Sequence, residues 1–171
     1  MTERPRREPK VAEAPVALDE RGEALSALLP EVLKDFDVEF GAAVDEVTVT
    51  ARPDDIPAVC RTLKTNPDLD LSYLRCISVV DYVERIEVVY HLLSLANGYK
   101  AVVKTSVDPD APRVPSLVSV WPGADWFERE GHDLYGVVFE GHPNLAPLLL
   151  YEGFEGYPGR RSFPLHDYDE W

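Results

Sequence analysis

The sequence predicts an α+β domain, with a mostly antiparallel sheet, helices packed on one face of it, and an extended irregular C-terminal arm. Three observations predict it. Apolar residues recur at helical spacing near the start, alternate at strand spacing in the middle, and are interrupted by frequent Gly and Pro at the end. The order helix, strand, helix, then strands in series is typical of this fold class. We expect the following divisions: a disordered tail (1–20), an α+β domain (21–110), a linker and helix (111–135), and a partner-binding arm (136–171).

Two helices are predicted in the first third of the chain. Residues 21–35 carry leucines and a valine at helical spacing, and Pro30 is expected to break or restart the helix. Residues 54–66 place Ile56, Val59, Cys60 and Leu63 on one face, with Asp54 or Asp55 as the natural cap. Each helix therefore has an apolar face to bury against a sheet.

Strands follow from alternation and composition. Residues 45–52 (DEVTVTAR) alternate valines with polar residues, and residues 71–82 are rich in strand formers. Residues 86–95 and 99–107 flank Asn97-Gly98, a strong hairpin signal, so these two segments should pair antiparallel. His91 lies inside the first of them, and we interpret it as a hydrogen-bonded strand histidine.

Charge and cysteine content exclude several classes of function. The net charge of −14 disfavours a general nucleic-acid binder and docking on anionic lipid. It favours a basic protein partner. Cys60 and Cys76 form no CxxC pair, so we expect a reducing compartment and two small core thiols. No apolar run approaches the roughly 20 residues of a membrane span, and the N-terminus lacks the apolar segment of a signal peptide.

The second half begins with a proline-rich linker. Ser116 can cap a short helix over 117–121. A longer helix is predicted from Asp125 to about Tyr135, with Asp125 and Glu128 as a capping box. Gly136 suits the left-handed position that ends a helix.

The last 36 residues combine five Gly and four Pro with a dozen large apolar side chains. Gly and Pro at this frequency predict no regular helix or strand. Yet a segment this apolar is unlike a solvated, mobile tail. We interpret residues 136–171 as an arm that buries its apolar side chains on a neighbouring protein.

The segment 126–145 (WFEREGHDLYGVVFEGHPNL) concentrates charges, histidines and aromatics. A metal site could use Glu128, His132 and His142, although no second His at helical spacing and no nearby Cys supports it. Acid–base catalysis could use Glu128 or Glu130 with His132, although no nucleophile motif or phosphate loop accompanies them.

A third interpretation of this segment is a protein-binding helix. Arg129 would form paired hydrogen bonds to its own Asp133 or to a partner's carboxylate. Glu128 and Glu130 would meet basic residues of a partner. The plain alternative is a solvated charged face. The apolar arm that follows directly favours partner contact.

The same residues carry a family resemblance. The segment FEREGHDLYGVVFEGHPNL, followed by EGYPGRRSFPL at 155–165, closely resembles the signature of the C subunit of the proton-pumping NADH:quinone oxidoreductase, respiratory complex I. The likeness is strong over about 115–165. The sequence departs from the family pattern at Gly131, at Ala146-Pro147, where the family has basic residues, and at Tyr157, where it has a second His.

The resemblance implies a non-catalytic subunit of the peripheral arm of that complex, on the cytoplasmic side of the plasma membrane. FMN, iron–sulfur clusters, NADH and quinone would then belong to the complex, with no cofactor, metal or catalytic residue in this subunit. The partner implied is chiefly the large quinone-site subunit. A scaffold in a related membrane-bound hydrogenase or in a dehydrogenase with another electron donor is the alternative, and a metal-dependent enzyme is the third. The expected partner-binding residues are Glu128, Arg129, Glu130, Asp133, Tyr135, Phe139, His142, Pro143, Arg160 and Arg161.

Overall fold

A computed structural model describes residues 17–164. The predictions for residues 1–16 and 165–171 lie outside the described residues. Within 17–164 the chain forms three α-helices, seven strands and a short 3₁₀ turn at Pro53–Asp55. In chain order the elements are α1 Glu20–Val32, β1 Val38–Ala43, β2 Glu46–Ala51, α2 Ile56–Thr65, β3 Tyr73–Asp81, β4 Ile86–Leu93, β5 Lys100–Val107, β6 Arg113–Pro115, α3 Ala124–Tyr135 and β7 Val138–Glu140.

The five-stranded sheet has the order β1-β2-β5-β4-β3. Its β2–β5 pair is parallel and its other pairs are antiparallel. In the predicted hairpin Ile86 lies opposite Val107 and Leu93 opposite Lys100. The α+β class with a mostly antiparallel sheet is therefore confirmed. Strand β1 was not predicted, because its residues after Val38 are all exposed and show no alternation of apolar with polar side chains.

The helices cover one face of this sheet. Side chains of the covered face and of the helices form a single buried core, which includes Leu25, Leu29, Val47, Val49, Val59, Leu63, Val88, Tyr90, Leu92 and Val103. On the opposite face, polar side chains such as Thr48, His91 and Lys104 lie beside valine side chains of the same sheet. The prediction that the helices pack on one face is confirmed.

Three predictions within this domain need correction. Cys60 is a core residue, but Cys76 is only half-buried, since it pairs with His91 on the open face. The Nδ1 atom of His91 lies 3.9 Å from Glu46 Oε2, longer than a hydrogen bond. Asp55 precedes α2 without a capping hydrogen bond, because its carboxylate binds Arg52 at 2.8 Å instead.

Helix α1 begins one residue before the predicted range 21–35 and ends three residues before the end of that range. Asp19 caps it, accepting a hydrogen bond from the Gly22 N–H at 2.7 Å, so the helix begins inside the segment predicted as a tail. Pro30 does not break the helix, which continues to Val32. Pro30 is exposed, so its ring projects to solvent rather than into a packed neighbour.

The region after residue 110 contains a second, two-stranded parallel sheet of β6 and β7. Val114 and Phe139 lie opposite each other in it, and both are fully buried in the core. The linker was expected to have no regular structure, and β6 shows that this is wrong. The arm was expected to be irregular from its start, and β7 shows that this is wrong as well. The predicted helix at 117–121 is a tight turn instead, in which the N–H groups of Val120 and Trp121 both donate to the Leu117 carbonyl.

From Gly141 to Pro164 the described chain has turns and bends but no further helix or strand, as predicted for the arm. None of the helices found in residues 17–164 has the length and hydropathy that a membrane span requires.

Candidate partner-binding site

Helix α3 carries half of the ten predicted site residues. It ends at Gly136, which adopts the predicted left-handed conformation (φ 73°) and donates its N–H to the His132 carbonyl. The predicted capping box is wrong. Gly123 precedes the helix, Asp125 lies in its first turn, and the Glu128 side chain makes other contacts.

Glu128 is fully buried. Its carboxylate accepts hydrogen bonds from the Ser116 hydroxyl and the Leu117 N–H, both at 2.6 Å. Burial raises the pKa of Glu128 to about 7, although these hydrogen bonds act in the opposite direction. Glu128 therefore ties the segment after β6 to α3. Contrary to expectation, it does not lie on the surface of this chain.

Arg129 binds the backbone of the arm. Its Nε donates to the Ala146 carbonyl at 3.0 Å and its Nη2 to the Pro147 carbonyl at 2.9 Å. The guanidinium also lies 5.8 Å from the ring centroid of the exposed Trp126. The predicted pairing with Asp133 is wrong, because both side chains are engaged with the arm instead.

Asp133 receives three consecutive backbone donors. The N–H groups of Leu148, Leu149 and Leu150 all point at its Oδ2, at 2.8 to 3.1 Å. Burial raises the pKa of Asp133, but the three hydrogen bonds together lower it below its ordinary value. Arg129 and Asp133, one helical turn apart, thus hold five consecutive arm residues. We call this pair the clamp.

A second set of contacts fixes the arm further along. Arg160 donates to the Tyr135 carbonyl at 2.7 Å and to the Pro109 carbonyl at 3.0 Å. The Arg161 N–H donates to Asp81 Oδ2 at 2.8 Å. Hydrogen bonds from Arg161 and Val83 lower the pKa of Asp81. Sequence reasoning missed Asp81, although an acidic residue closing an apolar strand is a usable signal.

The remaining predicted residues divide between core and surface. Phe139 is only 1% exposed and belongs to the core, so the chain itself provides its contacts. The His142 ring is buried. Its Nδ1 accepts the Asn144 N–H, which leaves Nε2 to donate to Asp125. Tyr135 is half-buried, and Pro143 and Glu130 are exposed.

The metal-site interpretation finds no geometric support. Each of its three side chains has another partner, and the His132 ring faces the Val137 carbonyl at 2.9 Å. Across residues 17–164 there is no group of three or more His, Cys, Asp or Glu placed to hold a metal ion.

The arm turns apolar side chains outward while its backbone is held. Leu149 is 60% exposed and Tyr151 72% exposed. Tyr151 packs edge-on against Phe154, which stacks on Phe163 at centroid distances of 5.3 and 5.9 Å. The interpretation that the arm must rely entirely on a neighbour is therefore wrong for its backbone. Among the described residues of the arm, Leu149 and Tyr151 have the most exposed large apolar side chains.

Comparison with known proteins identifies the family of this chain. Residues 49–169 match the family described as respiratory-chain NADH dehydrogenase, 30 kDa subunit. The C subunit of the NADH-quinone oxidoreductase of Maricaulis maris is 48% identical over 134 residues, covering 77% of this chain and 66% of that protein. The chain thus spans about two thirds of that relative's length.

Two solved structures are also similar. One is a trypsin-resistant fragment of Nqo5, with 28% identity and a TM-score of 0.56, covering 70% of this chain and 98% of the fragment. The other is a chain of the membrane-bound sulfane sulfur reductase, an archaeal respiratory membrane complex. It has 27% identity and a TM-score of 0.70 and covers 86% of this chain and 96% of its own. The chain therefore belongs to the family of the 30 kDa subunit of respiratory-chain NADH dehydrogenase.

Proposed function

We propose that this chain is a non-catalytic peripheral-arm subunit of a membrane-bound, proton-pumping NADH:quinone oxidoreductase. Its role is to hold the redox subunits in register while electrons pass from NADH to quinone. The FMN and iron–sulfur clusters of such a complex lie in other subunits. Family membership supports the proposal, as does a site whose polar groups are engaged in holding the chain's own arm.

The observation that carries the proposal is the clamped arm with its outward-facing side chains. Leu149 and Tyr151 would each contribute roughly 1.5 to 3 kcal/mol if a partner buried them fully. Because the clamp already fixes the backbone at 146–150, binding loses less conformational entropy than it would for a free tail. A pre-ordered apolar surface suits permanent assembly rather than catalysis.

The partner we propose is the large quinone-site subunit, with the chain on the cytoplasmic side of the plasma membrane. The net charge of −14 favours basic residues on the facing surface. Glu152 and Glu155, beside the exposed aromatic side chains of the arm, also favour basic residues on the partner surface that faces the arm.

Affinity capture from membranes tests the proposal. A tagged wild-type chain, released from its own membranes in mild detergent, should bring the other subunits with it and should show NADH:quinone reductase activity. The captured proteins are identified by mass spectrometry. Recovery of the tagged chain alone, at full yield, would contradict the proposal.

A second candidate is the equivalent scaffold in a related respiratory complex with a different donor or acceptor. The observation in its favour is the similarity to a chain of the archaeal sulfane sulfur reductase, which covers more of this chain than the Nqo5 fragment does. The same captured material decides between the two. Activity with NADH and quinone favours the first, and activity only with hydrogen or a sulfur compound favours the second.

A further inference from the structure

Strand β3 forms one edge of the main sheet, and β4 is its only paired neighbour among residues 17–164. An edge strand presents a row of backbone N–H and C=O groups that a further strand can pair with. Within residues 17–164 the arm is hydrogen-bonded to β3 at the last residue of the strand, where the Arg161 N–H donates to Asp81. Along Arg75 to Val80, no second strand of the described chain pairs with the outer side of β3.

A groove runs between this edge and helix α3. Its volume is about 220 Å³. Ile77 and Val79 of the strand form one wall, and Phe127, Leu134 and Tyr135 of the helix form the other. Gly131 lets the helix approach closely, since a Cβ there would lie 2.9 Å from Val79 Cγ2. The groove is therefore lined mostly by apolar side chains and lies beside unpaired backbone.

The opposite edge of the sheet differs. All residues of β1 after Val38 are exposed. In the described chain, the two cavities that border β1 itself are lined by no residue of an α-helix. An added strand at β1 would gain backbone hydrogen bonds but no apolar wall from a helix, which makes β3 the better docking edge.

The charge at the groove indicates what occupies it. Glu130 is exposed at the rim, and the chain as a whole is strongly acidic. A cationic side chain is favoured next to it. In an added strand, alternate side chains would point into the groove, so apolar residues at every second position fit the walls.

We propose that the β3 edge and its groove bind an extended segment of a neighbouring subunit as an added strand. That segment has apolar residues at alternate positions and a Lys or Arg facing Glu130. The inference rests on the proposed function, because it assumes that the chain works inside an assembly. It assigns a second docking surface, separate from the outward face of the arm.

Site-specific cross-linking in the assembled complex tests this. A photoreactive residue replaces Ser78, which lines the groove, or Phe40 on the β1 edge as the matched control. We expect irradiation to link position 78 to one extended segment of a partner subunit, at a yield at least about tenfold above position 40. Amides of residues 75–80 should exchange at least about tenfold more slowly in the complex than in the isolated chain.

A charge reversal gives the second readout. Glu130→Lys should reduce partner capture several-fold, whereas Glu39→Lys on β1 should leave it unchanged. If the complex is recovered but position 78 links to nothing or to a second copy of this chain, the added strand is excluded and the proposed function stands. If the wild-type chain recovers no partner at all, the proposed function fails and this inference fails with it.

Discussion

At the scale of single residues, the most informative group is Glu128. A carboxyl group with no exposure is normally paired with a cation. Here it has only a hydroxyl and one backbone N–H as partners. This explains the raised pKa, since two hydrogen bonds do not replace the lost hydration of a charge.

The pH dependence of stability follows from that shift. Protonated Glu128 is favoured in the folded chain, so its contribution to stability is complete below about pH 4.5 and is lost as the pH rises through about 7. The shift corresponds to about 3 kcal/mol. In Glu128→Gln, whose amide matches the neutral acid, this loss should disappear.

Urea unfolding of the wild-type and Glu128→Gln chains at pH 5 and pH 8 measures the effect. The wild type should lose more stability than the variant between the two pH values. Glu130→Gln, an exposed position on the same helix, serves as the control and should behave like the wild type. Parallel pH profiles for wild type and Glu128→Gln would show that the carboxyl titrates normally.

At the scale of elements, α3 is both a core helix and the support of the arm. Glu128 joins it to the segment after β6, while Arg129 and Asp133 join it to the arm. In the sequence these charged residues resemble an external binding face. In the structure most of them instead hold other segments of the same chain against α3. The exposed apolar side chains are instead those of Leu149 and Tyr151, just beyond the clamp, and these are the ones we propose to face a partner.

Removing the charge of the clamp should loosen the arm locally. Hydrogen bonds to a charged group contribute about 1.5 to 3 kcal/mol, so Asp133→Asn should speed amide exchange at Leu148, Leu149 and Leu150 by about ten- to a hundredfold. Exchange in β4 and β5 should not change. Unaltered exchange at the three leucines would mean that Asp133 does not hold the arm.

Substitutions at two glycines distinguish the effect of backbone strain from the effect of a side-chain clash. Gly136 and Gly141 both have positive φ, but only at Gly136 would an added Cβ meet a neighbour, lying 2.5 Å from Tyr157 Cζ. Gly141→Ala should lower the free energy of unfolding by about 1 to 2 kcal/mol. Gly136→Ala should add to this a displacement of Tyr157, seen as faster exchange at residues 157–161. Equal exchange in the two variants would contradict the contact.

At the scale of the whole molecule, much of the domain could be predicted from local pattern. The hairpin at Asn97-Gly98 and the apolar face of α2 follow from spacing alone. Strand β1 could not be predicted, since its exposed side chains carry no pattern. Strands β6 and β7 are short, and each needs a partner far along the chain, as Val114 needs Phe139.

The sequence indicated the segment 126–145 as the candidate site but not the contacts that its side chains make within the chain. The segment 126–145 is the structural centre of the second half, and Arg129 and Asp133 both act there. Their partners are the carbonyls and amides of 146–150, which have no side-chain signature in the sequence. Backbone partners of this kind are visible only once the chain is folded.

The central claim is that the outward face of the clamped arm binds the rest of the complex. The amount of intact complex recovered from membranes carrying Leu149→Asp tests it most directly, with Leu95→Asp as the matched control at a similarly exposed leucine, 71% against 60%. We predict that Leu149→Asp lowers recovery at least about tenfold, since a charge buried without a partner is strongly unfavourable, while Leu95→Asp leaves recovery unchanged. Normal recovery with Leu149→Asp would show that the arm does not bind a partner through this face.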